Sequence, residues 1–325
     1  MRILLWILGA LAALIALAFL TLGDPEMPRE TLLQKYGGAP SRFVDLPSGA
    51  KAHYRMQGKE GGPTLLLLHG SNASLHTWEP WIRVLGNEFS MVTVDLPGHG
   101  LTIAKANEEF TAASMAAFVD EFAGVIGLPR YAVGGNSMGG HVAGRVAMAY
   151  PARISALILI GSGGVLPTDL PPPPMTMQIA QVPVLRELFR LVPTRPIYEA
   201  GLKASFVNQA LVTPAMIDRY WELNRGPGIR AATRTRLRMG MDYWQAEDRY
   251  FRANLPKLTM PALILWGRQD KLLPVSGAEI FRQAIPGAQA IIYDDGGHIV
   301  QEDVAERSAA DVRAFLQGVL AAPAP

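Results

Sequence analysis

Cysteine is absent from the 325 residues, which excludes disulfides, thiolate metal sites and a cysteine nucleophile and is compatible with any redox compartment. Net charge is close to nil: a formal +2 offers no basic excess of the kind that holds nucleic acid. Phosphate-cradling glycine patterns are missing as well. Gly134-Gly135 lacks the G-x-G-x-x-G spacing, and no G-K-[ST] ending occurs. The six histidines show no zinc-ligand spacing, so neither a metal nor a cofactor is expected. No internal repeat is evident. What the chain does have is apolar mass, 49% hydrophobic residues, in a length that single α/β domains often reach.

The most informative segment is Gly135-Asn136-Ser137-Met138-Gly139, directly after the apolar run Tyr131-Ala132-Val133. A serine with a glycine two residues away on each side, between a strand and a helix, reads as a nucleophile elbow. The turn is so tight that side chains at the glycine positions would collide with the neighbouring strand and helix. Two partners lie downstream. Pro261 to Gly267 reads as a buried strand and Arg268-Gln269-Asp270 as the loop leaving it; Ala290 to Tyr293 is a further strand, followed by Asp294-Asp295-Gly296-Gly297-His298. A serine hydroxyl is a weak nucleophile near neutrality and needs an imidazole to take its proton, and a carboxylate to fix that imidazole's tautomer. Ser137, Asp270 and His298 are the candidates for these roles. Asp294 and Asp295 compete for the acid, but so close to His298 they read as turn formers.

An anion site is expected where Leu65-Leu66-Leu67-Leu68 runs into His69-Gly70-Ser71-Asn72, with the backbone N–H groups of Ser71 and Met138 as donors. His69 reads as a brace for that loop, and His99, in Asp95-Leu96-Pro97-Gly98-His99-Gly100, as a residue that shapes its own.

The segments HGSNASLHTW, DLPGHG, GGNSMGGHVAG and ILWGRQDKLLPVSGA, with the closing GGH, resemble the α/β-hydrolase superfamily over roughly residues 40–320. The apolar N-terminus and the WGRQD…VSGA stretch are similar to membrane-anchored monoacylglycerol lipases and related esterases. GNSMGG is also similar to the hydrolases that cleave carbon–carbon bonds in aromatic ring-fission products, although that branch commonly carries Trp where this chain has Ile299. The resemblance implies a mostly parallel sheet covered by helices on both faces, with an inserted helical lid. It implies a serine hydrolase of carboxylic acyl or lipid-like esters that works through an acyl-enzyme and needs no cofactor, with carbon–carbon hydrolysis as the alternative. Its partners would be a small acyl ester and membrane lipid.

The periodicity places strands near Arg42–Leu46, Lys51–Gln57, Thr64–Leu68, Met91–Val94 and Ser155–Ile160, the first two as an antiparallel hairpin. Helices are expected at Trp78–Phe89, Ala112–Ile126 and Gly139–Tyr150, and an amphipathic one at the end through Val312, Phe315, Leu316, Val319 and Leu320. The expected organisation is an anchor at 1–23, a linker at 24–40 with one amphipathic turn near Thr31–Tyr36, a core at 41–164 and 253–325, and a lid at 165–252. Ile3 to Leu22 is an uncharged run long enough to span a bilayer core of about 30 Å. A cleaved secretory signal is the competing reading, but the one small-residue site, Ala16-Leu17-Ala18, falls inside the run. With Arg2 before the run and Asp24 and Glu26 after it, the catalytic domain is expected on the non-cytoplasmic side. The lid opens on Pro171–Pro174, and its Met175, Met177, Ile179, Val184, Leu188, Phe189 and Leu191 could line an acyl pocket or merely bury it against the core. It carries 12 Lys and Arg against 8 Asp and Glu. Arg225, Arg230, Arg234, Arg236 and Arg238 read as a solvated, ion-paired face or as a contact for anionic headgroups.

Overall fold

The structure is a computed structural model that describes Trp6, Gly9 and residues 24–170 and 194–321. Eight strands form one sheet: β1 (Ser41–Asp45), β2 (Lys51–Gly58), β3 (Thr64–Leu68), β4 (Ser90–Val94), β5 (Tyr131–Asn136), β6 (Ile154–Ile160), β7 (Ala262–Gly267) and β8 (Gln289–Tyr293). Their order is β1-β2-β4-β3-β5-β6-β7-β8. β2 runs antiparallel to both β1 and β4, and every other pairing is parallel. The four leucines of β3 show why the sheet is central. Alternate side chains point to opposite faces, so Leu66 and Leu68 enter one core with Val92, Val133, Phe122 and Phe281, while Leu65 and Leu67 enter the other with Trp81, Met91, Ile158 and Val312. A strand buried on both faces has no polar side to alternate with, hence its unbroken apolar sequence.

The helices in chain order are α1 (Arg29–Tyr36), α2 (Glu79–Leu85), α3 (Ala112–Val125), α4 (Met138–Ala149), α5 (Arg195–Ser205), α6 (Pro214–Leu223), α7 (Ile229–Leu237), α8 (Met241–Asn254), α9 (Ser276–Ala284), α10 (Val300–Asp303) and α11 (Ala305–Ala321). The helix expected from Trp78 is shorter: a 3₁₀ turn covers Leu75–Trp78, and α2 ends at Leu85 before Gly86. In α11, Val312, Phe315 and Leu316 are buried as the periodicity requires, while Leu320 is exposed.

Helices α5 to α8 are inserted between β6 and β7 and are bonded to the core at several points. Glu247 of α8 accepts from His141 Nε2 (2.7 Å) and Arg145 Nε (2.9 Å) on α4. The residues expected as a linker instead form a strap on the lid. Asp24 Oδ2 accepts from Trp221 Nε1 (3.0 Å), the Pro25 carbonyl from Arg225 Nε (2.9 Å), and Met27 N–H donates to the Arg225 carbonyl (2.8 Å). From α1, Lys35 Nζ and Tyr36 OH both donate to the Glu222 carboxylate, and Leu32 is buried with Leu101 and Leu223. Arg225, expected on a solvated face, is therefore buried within this strap, its guanidinium 4.4 Å over the Trp221 ring. Among the described residues no helix is long and apolar enough to cross a membrane. The expected anchor, apart from Trp6 and Gly9, and the apolar stretch Met175–Leu191 lie outside the described residues.

Candidate active site

Four chain segments leave the carboxyl ends of parallel strands on one edge of the sheet, where open α/β sheets place their ligands. Ser71 follows β3, Ser137 follows β5, Asp270 follows β7 and His298 follows β8. Ser137 sits at φ 56° and ψ −116°, a conformation that costs a non-glycine residue about 1–3 kcal/mol and marks a constrained turn. Its flanking glycines are obligatory. A Cβ on Gly135 would lie 2.1 Å from the Gly139 carbonyl oxygen, and one on Gly139 would lie 2.1 Å from that of Leu68.

The elbow and the histidine loop meet at the end of β6. Ser137 N–H donates to the Ile160 carbonyl (2.9 Å), and a Cβ on the next residue, Gly161, would stand 3.4 Å from Asp270 Oδ2 and 3.5 Å from His298 Nδ1. Asn136 bridges the same place, its Nδ2 donating to the carbonyls of Ile160 (3.1 Å) and His298 (3.0 Å). Asp270 Oδ2 lies 2.7 Å from His298 Nδ1, while its Oδ1 accepts the N–H groups of Leu272 (2.8 Å) and Leu273 (2.9 Å). With both carboxylate oxygens so engaged, Nδ1 carries the proton and Nε2 is left as an acceptor. Ser137 Oγ makes no hydrogen bond among the described residues. Asp294 and Asp295 face away, in exposed ion pairs with Arg268 and Arg307.

The N–H groups of Ser71 and Met138 donate to no acceptor among the described residues; the second opens a helix, whose first N–H groups have no partner of their own. His69 braces this loop. Its Nδ1 donates to the Gly70 carbonyl (2.8 Å), its Nε2 accepts from Leu96 N–H (3.0 Å), and burial holds it below the usual histidine range. His99 is buried too, bonded through Nδ1 to the Pro97 carbonyl (3.2 Å) and kept neutral by burial and by the charge of Arg236.

Sequence reasoning missed the residues that hold the site to the inserted helices. Asp303 accepts three backbone N–H groups, from Gly297 (2.8 Å) beside the histidine and from Val207 (2.9 Å) and Asn208 (3.0 Å) after α5. The Ser205 carbonyl accepts His298 N–H (2.8 Å), and Asn224 Nδ2 donates to the Asn72 carbonyl (2.7 Å) of the anion loop. One signal was available: Asp303 follows His298 by little more than a helical turn.

The alpha/beta hydrolase fold family matches residues 63–305. A monoacylglycerol lipase, abhd6-B of Xenopus laevis, is 30% identical over 279 residues, which cover 82% of this chain and 79% of the relative. The dihydrolipoyllysine-residue acetyltransferase component of the acetoin cleaving system of Cupriavidus necator is 28% identical over 90% of this chain and 73% of its own length. Among solved structures, a membrane phospholipase A described as a bacterial virulence factor superposes with a TM-score of 0.70 at 28% identity, covering 99% of this chain and 100% of that one.

Proposed function

The chain belongs to the alpha/beta hydrolase family, and from that premise we propose that it is a serine hydrolase of acyl or lipid-like carboxylic esters, with Ser137, His298 and Asp270 as its triad. The observation that carries this reading is the convergence of the strained Ser137 with the Asp270–His298 pair on one strand end. Lipase and phospholipase relatives support the ester class. Ser137 Oγ attacks the ester carbonyl while His298 Nε2 takes its proton, and the N–H groups of Ser71 and Met138 receive the oxyanion. The carbon–oxygen bond breaks, the departing alcohol collects the proton from His298, and a water deprotonated by the same imidazole releases the acid. Asp270 holds the tautomer and stabilises the imidazolium throughout. The test is a serine-directed fluorophosphonate: it should label Ser137 alone, and the full-length chain should cleave a panel of acyl esters. Labelling elsewhere, or normal turnover in folded Ser137→Ala, would refute the assignment.

The same reading includes residues 1–23 as an uncleaved membrane anchor, residues 41–164 and 253–325 as the core and 165–252 as the lid. The length of the apolar run and the likeness to a membrane phospholipase support the anchor. Membranes should retain the protein through high-salt washing, because salt does not weaken apolar burial. A mature chain that starts within or just after the run would instead identify a cleaved signal.

A further inference from the structure

Two arginines of the inserted helices keep buried N–H donors that meet no acceptor among the described residues. Arg236 Nη1 and Arg230 Nε and Nη2 are buried without a hydrogen-bond partner. Arg236 gives one bond, from Nη2, to Thr233 Oγ1 (2.9 Å) within its own helix. Four other arginines of this insertion do find an acceptor, although Arg219 Nε is also buried without one. Arg195 has Asp218, Arg219 has Glu79, Arg225 has the Pro25 carbonyl and Arg252 has Asp248. Among the described residues no carboxylate acts on Arg236: burial pushes it down to about 10, opposed by the Tyr198 phenol. The same phenol is the largest opposing influence on Arg230, ahead of Glu26 and Asp24.

Arg236 stands against the loop after β4, next to the candidate anion loop. A Cβ on Gly98 would lie 3.0 Å from Arg236 Nη1, and the charge of Arg236 lowers the pKa of both His99 and His69, the residue just before Gly70 and Ser71. Tyr198 packs against a cluster that includes Ala73, just past that loop, and Ile299, next to His298. Burying N–H donors of a cation with no acceptor is unfavourable, and so many in one place point to an anion that the protein itself does not supply.

We propose that Arg236, Arg230 and Tyr198 form an anion subsite beside the Ser71 loop, and that the ester this protein cleaves carries a compact oxyanion, a phosphate or a carboxylate, away from the scissile carbonyl. The proposal rests on the ester-hydrolase reading above and narrows its substrate class. The arginine N–H groups would bind the oxyanion while the carbonyl lies in the Ser71–Met138 hole.

The test compares esters that differ only in the anion, using the full-length protein. Lysophosphatidic acid is set against the monoacylglycerol of the same chain. A p-nitrophenyl half-ester of a dicarboxylic acid is set against the ester of the matching monocarboxylic acid. In the wild type, kcat/KM should favour the anionic member of at least one pair by about tenfold or more, chiefly through KM. The pair that shows the preference identifies phosphate or carboxylate as the group recognised. Arg236→Gln should bring that ratio towards one, and Arg230→Gln should reduce it. Inorganic phosphate or a short dicarboxylate, whichever matches, should raise the Tm of the wild type and not of Arg236→Gln. No preference in the wild type, or a ratio that survives in both variants while the two substrates decline together, would overturn the subsite. Should Arg236→Gln fail to fold, the Arg230→Gln ratio decides. If no ester is cleaved and Ser137 is not labelled, the hydrolase reading fails, and the anion-dependent Tm shift still judges the subsite.

Discussion

Replacing Glu302 by glutamine should stabilise the protein in mild alkali and leave it unchanged in mild acid. Glu302 lies buried one turn beyond His298, its Oε1 accepting from Thr77 Oγ1 (2.5 Å) on the core side and Tyr220 OH (2.9 Å) on the lid side. Burial raises its pKa to about 7 from 4.5, more than the two hydrogen bonds and Arg219 lower it. The folded chain therefore keeps a proton that the unfolded chain releases near 4.5. Below that pH both states hold the proton and the group contributes no pH dependence. Between 4.5 and about 7 the folded state binds more protons, so stability falls as pH rises, and above about 7 the loss is complete. At about 1.4 kcal/mol per pH unit, the gap comes to about 3 kcal/mol. Glutamine keeps a carbonyl acceptor for Thr77 and Tyr220 and cannot ionise. Its Tm should match the wild type at pH 4 and exceed it at pH 8.5 by roughly 6–12 °C, at about 2–4 °C per kcal/mol. Melting curves at these two pH values decide the matter. An equal gain at both, or none at pH 8.5, would refute a buried carboxyl that ionises at its own expense.

Ser137→Ala, His298→Ala and Asp270→Asn should each remove most ester turnover while circular dichroism stays native, because the three groups act as a unit. Asp294→Asn and Asp295→Asn, whose side chains reach solvent, should remain active in the same assay. Asp303→Ala strips a carboxylate from three backbone N–H groups; at about 1.5–3 kcal/mol for each such bond and incomplete additivity, urea titration should find a loss of about 3 kcal/mol or more, with a parallel fall in kcat/KM. Within one series of esters, kcat/KM should climb from acetate to medium chains, by at most about fourfold per CH₂ at about 0.8 kcal/mol each. Robust cleavage of a ring-fission dienoate alongside weak ester turnover would transfer the function to carbon–carbon hydrolysis.

The strand ends and the elbow were legible because both are local. A run as short as Leu65–Leu68, bounded by turn residues, reads as a strand buried on two faces, and the glycine at 135 answers to a contact within its own tight turn. Asp270 was preferred to Asp294 and Asp295 because those two lie so close to His298 in the chain; the sequence does not say which carboxylate a loop aims at the imidazole and which at solvent, and the fold aims Asp270 at His298 and the other two at exposed arginines. The contacts of the lid were not legible. The bond between Tyr220 and Glu302 joins residues 82 positions apart, and Asp303 earns its importance from backbone donors on a distant segment. Arg225 was placed with its neighbours on a solvated or headgroup-facing side for the same reason: helical spacing says which residues share a side, not which of them finds an acceptor.

The strap from Asp24 to Tyr36 gives the lid a second owner. Asp24 and Pro25 are bonded to Trp221 and Arg225, and the neighbouring Asn224 holds the carbonyl of Asn72. Farther along, Arg29 Nη2 donates to the Leu101 carbonyl (2.9 Å), so the strap works like the cord of a latch, tied first to the bolt and then to the door. A version cut just before Asp24 keeps the cord; one cut at Pro40, next to the core boundary expected from the sequence, leaves Glu222 without Lys35 and Tyr36 and the bolt loose.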